Sequence, residues 1–384
     1  MVDSGVPSRL RVATRTVDDP TVTAGSDLRF RMANRLEHEL WRLQRSPVKT
    51  WRSPARFGSL SAEEINRSGA DIVNLHWVTD GFLSVDEIGK ITKPIVWSLY
   101  DMWPFAGTEH YGADTPGARW RTGYTKANRP ATESGVDLDR LTWQAKRSHW
   151  TRPMHIVPAS SWLQDRVGSS ALMRSWHVTR IPHVIDCDAF SPLPMSEARQ
   201  VLDLPADVPL VLFLASAGIH DARKGFDLLE QALHAVRDRH PDVAVVVVGP
   251  SEREYTSPSG VPILWQGSVA GDHALRVLYC AADVTAVPSR EDNMPLTAME
   301  AQSCGTAVVA FDVGGLPDIV SHHETGYLSA PFDTADLAIG LSQAIDDSRH
   351  ERRWASAARE RSLATSSRPR VVEQYLRLYE ECTK

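Results

Sequence analysis

The stretch VTAVPSREDNMPLTAMEAQSCGTAVVAF, residues 284–311, contains the pattern from which the fold can be inferred. It begins and ends with short runs rich in β-branched residues, 284–288 and 307–311, and a helical segment lies between them. Pro295 suits the first position of that helix, and Gly305 suits its end. A strand, a helix and a second strand in this order predict two parallel neighbours in an α/β sheet.

The same alternation continues on both sides of this stretch. β-Branched runs separated by helical patterns predict a doubly wound parallel sheet in each half of the chain. These runs are residues 71–75, 94–99 and 154–159 in the first half, and 210–215, 243–249 and 262–267 in the second. Two helix starts are predicted from capping patterns: Ser161 with Gln164, and Asp227 before apolar residues at helical spacing.

The length of the chain, 384 residues, exceeds what one hydrophobic core usually supports, so two domains are expected. Proline and aspartate cluster in residues 191–206 and the periodicity fades, which predicts a linker. The predicted domains are residues 1–190 and 207–362, followed by a last helix in 363–384. Two Rossmann-like domains in series predict a cleft between them. Residues 111–135 are rich in glycine, proline and arginine and predict a long loop.

Composition excludes several classes of protein. The net charge of −6 argues against nucleic acid as the main partner, because phosphate backbones are bound by basic surfaces. The sequence contains no run of about 18 apolar residues, which is the length needed to span a membrane, and its N-terminus is too polar for a signal peptide. The cysteines form no CxxC pair, so we interpret them as reduced thiols in a cytoplasm. They are Cys187, Cys280, Cys304 and Cys382.

Residues 29–57 form a basic stretch in which arginine alternates with leucine, tryptophan, phenylalanine and methionine. The interpretation that we favour is a solvated surface helix. The alternative is an amphipathic helix that makes a peripheral contact with anionic lipid on the inner face of the membrane.

Glu300 is a solitary acid among residues that the helical pattern predicts to be buried: Leu296, Ala298, Met299 and Ala301. A buried carboxylate without a partner costs several kcal/mol, so a partner is expected. A ribose is one candidate, because its two hydroxyls can both donate to one carboxylate. A salt bridge to an arginine, or a position that faces solvent, would explain the acid equally well.

Two glycine-containing segments also follow predicted strands. Arg223 and Lys224 precede Gly225 at the start of a predicted helix, which is an arrangement that binds phosphate, although most such triplets are surface loops. Gly314 and Gly315 follow the strand at 307–311 and permit either the close approach of a ligand or a tight turn.

These motifs carry a resemblance to a known family. Residues 288–328, together with 223–233, resemble the donor-binding half of family 4 glycosyltransferases, which have the GT-B fold. Residues 71–84 and 93–111 resemble the bacterial members that build cell-surface polysaccharides of the colanic-acid type, whose pattern is His-Asp-Met-Trp-Pro-Phe. The resemblance implies a retaining transfer of a sugar from a nucleoside diphosphate to a hydroxyl of a lipid-linked or soluble glycan, with no metal and no other cofactor. It also implies that the last helix returns to the first domain.

The resemblance assigns roles on the donor side. It implies that Glu300 holds the ribose, that Lys224 neutralises the leaving diphosphate with Arg223 beside it, and that Asp292 acts near the hydroxyls of the donor sugar. Glu291 takes that last role only with a shift of one residue. Base recognition is expected from main-chain groups of residues 266–269. The other implied donor-binding residues are Asn293, Met294, Pro295, Leu296, Gly218 and Gly267.

The acceptor side is expected at the ends of two strands in the first half. Tyr100 and Asp101 are implied as catalytic residues, and the implied acceptor-binding residues are His76, Trp77, Trp103 and His110. The two tryptophans could instead serve packing alone.

The sequence departs from its relatives at three places. Tyr100 stands where they carry a histidine, and Glu109 stands where a cysteine is common. Nothing before Leu10 can supply the first strand and the glycine-rich loop with which relatives open, so we expect a missing segment or another element in its place. These departures leave a catalytically silent binding protein as a rival interpretation. Among enzymes, the nearest rival is a GT-B nucleotide-sugar epimerase.

Overall fold

A computed structural model describes residues 5–48, 50–250 and 255–383. The chain divides into two compact units. Unit 1 contains the residues up to Ile181 and those from Val372 onwards, and unit 2 is Pro182–Val371. The boundary therefore falls earlier in the sequence than the predicted linker at 191–206, which lies within unit 2 and contains a helix.

Unit 1 is built on short parallel strands with helices between them. Its strands are β1 (Leu10–Val12), β2 (Val22–Ala24), β3 (Gln44–Arg45), β4 (Val73–His76), β5 (Ile95–Leu99), β6 (Ser134–Gly135) and β7 (His155–Pro158). Its helices are α1 (Asp27–Trp41), α2 (Ala62–Arg67), α3 (Val85–Lys90), α4 (Arg119–Thr122), α5 (Leu138–His149) and α6 (Ser161–Ser169). The central sheet is parallel, in the order β4-β5-β7, while β1 and β2 form a separate parallel pair and β3 and β6 an antiparallel one.

Unit 2 has a larger sheet. Its strands are β8 (Leu210–Leu214), β9 (Ala244–Val248), β10 (Ile263–Gly267), β11 (Val284–Val287), β12 (Ala307–Phe311) and β13 (Gly326–Ser329). Its helices are α7 (Met195–Val201), α8 (Phe226–Arg239), α9 (Asp272–Ala281), α10 (Leu296–Ser303), α11 (Leu316–Ile319), α12 (Thr334–His350) and α13 (Arg353–Thr365). The last helix of the chain is α14 (Arg368–Cys382).

The six strands of unit 2 are all parallel, in the order β10-β9-β8-β11-β12-β13. This is the Rossmann order, and the direction of winding reverses between β8 and β11. Such a switch point is where open α/β sheets bind ligands, because the loops after the two strands separate there. The prediction of an α/β, doubly wound fold is confirmed.

The predicted strands occur at the expected places, but three finer predictions are wrong. The cap of α6 is Ser160, whose Oγ accepts from Leu163 N at 3.1 Å, and not Ser161. Helix α8 is preceded by Gly225 in a left-handed conformation, so Asp227 lies in the first turn and not at the cap. Leu296 is 50% exposed because it is the first residue of α10, whereas the prediction of burial is confirmed for Ala298, Met299 and Ala301.

Helix α14 packs its tyrosines against the sheet of unit 1. Asn74 Nδ2 donates to the Tyr379 hydroxyl at 2.7 Å, and the Ser98 and Tyr375 hydroxyls share a hydrogen bond of 2.8 Å. Both contacts are to β4 and β5, so the end of the chain stabilises strands that lead to candidate site residues. None of the helices in the described ranges is both long enough and apolar enough to cross a bilayer.

The loops after β11 and β12 approach each other closely at Gly314. The Gly315 N–H donates to the Asp292 carbonyl at 3.0 Å, and Gly314 has φ +58°. A Cβ added at Gly314 would lie 2.0 Å from the same carbonyl oxygen. A glycine is therefore required here, and the glycine pair that the sequence singled out holds the backbone of Asp292.

Residues 111–135, predicted as a long loop, are mostly loop and contain the four-residue helix α4 and the two-residue strand β6. A buried polar cluster anchors them. Arg52 forms salt bridges to Asp139 at 2.6 Å and to Glu133 at 3.3 Å. The hydroxyl of buried Tyr124 donates to Glu109. Burial, reinforced by the negative charge of Asp139, raises the pKa of Glu109 to about 8.

Replacing Gly314 by alanine should lower the melting temperature more than the same change at Gly271. Both residues have positive φ, but a Cβ at Gly271 would meet nothing within 4 Å. We expect Gly314→Ala to cost about 2 kcal/mol or more, because backbone strain and a collision with Asp292 add. Differential scanning fluorimetry on both variants makes the comparison, and equal losses would contradict the close approach.

Replacing Glu109 by glutamine should remove part of the pH dependence of stability. The folded protein retains a proton on Glu109 up to a pH of about 8, whereas the ordinary pKa is 4.5. Unfolding therefore releases a proton between these values, and stability falls with rising pH by about 1.4 kcal/mol per unit at most. Urea denaturation from pH 5 to 8 measures the slope in the wild type and in Glu109→Gln.

The exposed Glu197 supplies the control, since Glu197→Gln makes the same chemical change at the surface. An unchanged slope in Glu109→Gln would show that Glu109 is ionised throughout this range.

Candidate functional site

The first part of the site is the turn that follows β8. Residues Ala222–Lys224 form one turn of 3-10 helix, and Asp221 caps it by accepting from the Arg223 N–H at 3.0 Å. Gly225 then adopts φ +72°, and a Cβ there would lie 2.0 Å from the Pro288 carbonyl oxygen. The prediction that Gly225 lets the chain turn is confirmed. The turn is thereby pressed against the loop after β11, across the switch point.

Two cations and one carboxylate meet where these loops touch. Lys224 Nζ donates to Asp292 Oδ2 at 2.8 Å, and Arg223 lies 3.3 Å from the same oxygen. Asp292 is 7% exposed, whereas Arg223 and Lys224 are only partly buried. Arg223 also lies 3.7 Å from a carboxylate oxygen of Asp221, so the two cations are balanced by two carboxylates. Their charged groups are partly exposed and are of the type that binds an anion such as a diphosphate.

Arg290 holds the two loops together, although sequence reasoning did not identify it. Its guanidinium donates to both carboxylate oxygens of Asp227, at 2.8 and 2.6 Å, and to the Ala222 carbonyl at 2.6 Å. Its backbone N–H also donates to the Arg223 carbonyl at 2.8 Å. These contacts fix the main chain of the turn that carries Lys224, so Arg290 is a positioning residue.

Glu300 lies on α10, the helix that follows the Asp292 loop, and it is half-buried. The hydroxyl of buried Tyr279 donates to its Oε2 at 2.7 Å. Burial raises the pKa of Glu300 to about 7, against the opposing effect of this hydrogen bond. No arginine or lysine within the described ranges forms a salt bridge with it, so the expected alternative of an internal ion pair is not found.

The remaining residues predicted on the donor side also follow strand ends of unit 2. Asn293 and Met294 are buried between β11 and α10, while Glu291 is half-buried beside Asp292. Gly218 and Gly267 follow β8 and end β10, with φ +87° and +69°.

Two backbone details differ from the sequence-based picture. Pro295 is the residue before α10 and not the first residue of the helix. The Gly267 carbonyl accepts from the Gly249 N–H at 2.9 Å, so that carbonyl is already bonded within residues 266–269, where base recognition was expected.

Unit 1 presents a second group of candidate residues. His76 ends β4 and its Nδ1 shares a hydrogen bond of 3.1 Å with the hydroxyl of Tyr100, which follows β5. Trp77 follows His76, is 49% exposed and has φ +28°, a strained conformation for a bulky residue. These three side chains are exposed and can meet a ligand.

Trp77 stacks on His110, with ring centroids 4.8 Å apart. His110 is buried, and its two ring nitrogens are bonded to Asp101 at 2.7 Å and to the Ser53 hydroxyl at 2.9 Å. Ser53 in turn donates to Asp80 at 3.0 Å. A continuous buried chain of hydrogen bonds therefore supports the exposed indole from below.

This arrangement corrects three predicted roles. Trp103 is buried and its indole N–H donates to the Ser53 carbonyl at 2.7 Å, so it packs in the core and has no surface for an acceptor. The ring nitrogens of His110 are both bonded to protein atoms, which excludes direct acceptor binding in this arrangement. Asp101 is also buried, with Oδ1 accepting from Trp103 N and Oδ2 bonded to His110, so it supports His110 and does not face a ligand.

Ser53, Asp80, Tyr279 and Arg290 are the members of the site that sequence reasoning missed. Each acts through a contact with a residue distant in sequence or on another element, and a single sequence gives no signal for such a pairing. The strained φ values of Trp77 and Asp80, +28° and +58°, are visible only in the structure.

Comparison with known proteins agrees with this fold. Residues 195–361 match the family model described as glycosyl transferases group 1. A D-inositol 3-phosphate glycosyltransferase of Actinosynnema mirum is 38% identical over 178 residues, which are 42% of this chain and 42% of that protein. Another, of Nocardiopsis dassonvillei, is 28% identical over 89% of this chain and 78% of that protein. The first curated relatives, which are more than 30% identical, are matched over less than half of their own length.

Solved structures show the fold. Sucrose-phosphate synthase of Thermosynechococcus elongatus superposes with a TM-score of 0.61 at 19% identity, covering 94% of this chain and 81% of that one. HepE of Anabaena, solved in complex with UDP, superposes with a TM-score of 0.59 at 17% identity, covering 83% of this chain and 82% of that one. The chain therefore has the GT-B fold, and its residues 195–361 match the glycosyl transferases group 1 family.

Proposed function

We propose that this protein is a retaining glycosyltransferase that moves a sugar from a nucleoside-diphosphate sugar to an acceptor hydroxyl. The observation that carries the proposal is the contact of Lys224 and Arg223 with Asp292 at the switch point of the unit 2 sheet. A cationic pair at this position suits a diphosphate, and an acid on the next helix suits a ribose. The family match of residues 195–361 and the nucleotide bound by HepE support the same donor class.

In the proposed donor complex, Glu300 accepts hydrogen bonds from the ribose diol. The Tyr279 hydroxyl donates to Oε2 of Glu300, and no side chain in the described ranges hydrogen-bonds Oε1. The carboxylate of Glu300 can therefore still accept hydrogen bonds from two hydroxyls. Arg223 and Lys224 bind the diphosphate. Asp292 orients Lys224 and lies beside the hydroxyls of the donor sugar.

Lys224 is proposed to act mainly in the transition state. Negative charge grows on the diphosphate as the glycosidic bond breaks, and a fixed ammonium group stabilises that charge without reorganisation. The leaving phosphate then takes the proton of the acceptor hydroxyl, which attacks from the same face. The proposed mechanism uses no covalent nucleophile and no metal ion.

The exposed group His76, Trp77 and Tyr100 of unit 1 is proposed to bind the acceptor. A tryptophan face suits the apolar face of a sugar ring, and the imidazole and phenol supply hydrogen bonds. The proposed acceptor is a lipid-linked or soluble glycan used in cell-surface polysaccharide or glycoconjugate synthesis. A polyol phosphate belongs in the same screen, because the relatives named above carry D-inositol 3-phosphate in their names.

The decisive experiment is a screen of nucleoside-diphosphate sugars with these acceptors, in EDTA, with the anomeric configuration of the product read by NMR. A product that retains the donor configuration supports the proposal. Release of an epimerised nucleotide sugar without an acceptor would favour the epimerase. Absence of any nucleotide binding in calorimetry would favour a silent binding protein.

Changing Glu300 should weaken donor binding in a pH-dependent way. Hydrogen bonds to a charged group contribute about 1.5 to 3 kcal/mol, so Glu300→Ala should weaken donor binding roughly tenfold or more above pH 7. Because the pKa of Glu300 is about 7, wild-type affinity should rise as pH increases through 7 and the carboxyl loses its proton. Calorimetry across this pH range should use an intact nucleoside-diphosphate sugar. A free nucleoside diphosphate has a terminal phosphate that ionises near the same pH and would add its own pH dependence to the affinity.

Glu300→Gln is the matched control, since it keeps the shape and cannot ionise. It should show weak binding that is independent of pH. The same pH profile in Glu300→Gln and in the wild type would rule out Glu300 as the titrating group.

Replacing Lys224 by alanine should reduce turnover about a hundredfold or more, with a smaller loss of donor affinity. The reason is that its charge is needed most when the leaving group is fully ionic. Steady-state kinetics and calorimetry on the same preparation separate the two effects. Lys224→Arg keeps the charge and should recover part of kcat, whereas equal losses of affinity and turnover in Lys224→Ala would point to a role in binding alone.

A further inference from the structure

The outward face of α1 carries a stripe of exposed apolar side chains. Leu28, Met32 and Leu36 are spaced four residues apart, which places them on one face, and they are 61%, 57% and 47% exposed. Side chains of this size are rarely exposed in a row on a soluble helix, and a contiguous apolar stripe indicates a contact surface.

Arginines flank the stripe on both sides. At 100° per residue, Arg31 and Arg35 lie on one side of it and Arg29 on the other. Arg31 pairs with Asp27 at 3.2 Å, but Arg29 and Arg35 form no salt bridge with any residue that the structure describes. Their charges are therefore available to a partner. Long arginine side chains beside an apolar stripe can reach outward to anionic groups while the stripe is buried.

The opposite face of α1 is firmly held within unit 1. Buried Glu37 accepts from the backbone N–H groups of Arg56 and Phe57 at 2.6 and 2.7 Å, and Asn34 donates to the Asp80 carbonyl at 2.9 Å. A Cβ added at Gly81 would lie 2.4 Å from Asn34 N, so the loop that contains Gly81 packs directly on the helix. The helix is thus fixed in its orientation, and the apolar stripe is not a core face that has come loose.

We propose that this face of α1 binds the surface of a bilayer that contains anionic lipid. The apolar stripe would enter the boundary between headgroups and acyl chains, and the arginines would contact lipid phosphates. A second copy of the chain fits less well, because a twofold contact would place the same arginines against each other. Nucleic acid would use the arginines but would leave the apolar stripe exposed.

The proposal gives the acceptor side a location. The loop packed on α1 follows Trp77, so a membrane-bound helix holds the candidate acceptor residues of unit 1 near the lipid surface. This last consequence rests on the proposed function, since it assumes that Trp77 meets an acceptor. It would favour acceptors that carry a lipid anchor over free glycans. Vesicle binding itself requires neither donor nor turnover, so its test is independent of the activity.

The test is flotation of the full chain with vesicles of phosphatidylcholine alone or mixed with phosphatidylglycerol. The wild type should float with the anionic vesicles only, and high salt should release it. The double variant Arg29→Glu with Arg35→Glu should reduce the partition coefficient roughly tenfold or more, given about 1 kcal/mol for each arginine near the surface. Met32→Ser with Leu36→Ser should reduce it even at low salt, where the arginines still bind the anionic lipid, since apolar burial is lost.

Matched controls separate this face from general effects. Lys126→Glu with Arg174→Glu makes the same change of charge at exposed positions elsewhere in unit 1, and Ile339→Ser removes an apolar side chain that is 52% exposed in unit 2. Both controls should float like the wild type, and circular dichroism checks the folding of every variant. Failure of the wild type to float, equal losses in the controls, or a dimer in solution that Met32→Ser with Leu36→Ser dissociates would overturn the proposal.

Discussion

The ion pair between Lys224 and Asp292 is the interaction on which the candidate site of unit 2 depends. It joins the loop after β8 to the loop after β11, the two strands between which the winding of the sheet reverses. Diverging loops at such a point would otherwise leave a gap. The glycines on either side, at 225 and 314, allow the backbones to approach closely enough for the pair to form, and Arg290 fixes the turn from outside. The geometry of the cations is therefore set before any ligand binds.

The sequence predicted the strands and the site loops of unit 2 well, because both are local. Each of the five predicted strands is a short apolar run with β-branched residues, and its boundaries follow from the proline or glycine near it. The sixth strand, β13, has the sequence GYLS with no β-branched residue, and it was not predicted. Errors at helix starts were also local. At α8 the left-handed Gly225 caps the helix two residues before the predicted cap, Asp227. At α6 two adjacent serines compete for the cap and only geometry decides between them.

Prediction was weaker wherever a role depends on a partner from another element. Glu300 was recognised as a solitary acid, but Tyr279 on α9 could not be, since a tyrosine in an amphipathic helix has an ordinary packing role. In unit 1 the sequence placed Asp101 and His110 near the strand ends but could not show that Ser53, far away in sequence, would complete a buried chain with them. The exposure of Trp77 and the burial of Trp103 follow from tertiary packing. Their similar positions, each shortly after a predicted strand, do not distinguish them.

The degree to which polar atoms are satisfied distinguishes the two kinds of acid in this protein. Asp101 has both oxygens engaged by buried protein groups, so a ligand could bind it only by displacing an existing hydrogen bond. Among the residues that the structure describes, Glu300 has one tyrosine donor and no cationic partner, and its burial raises its pKa to about 7. An arginine in place of Tyr279 would stabilise the charged form and occupy both oxygens. A tyrosine orients the carboxylate and donates a single hydrogen bond to it. The remaining lone pairs of the carboxylate can then accept hydrogen bonds from a ligand. The choice of a neutral partner thus keeps this acid able to bind a diol.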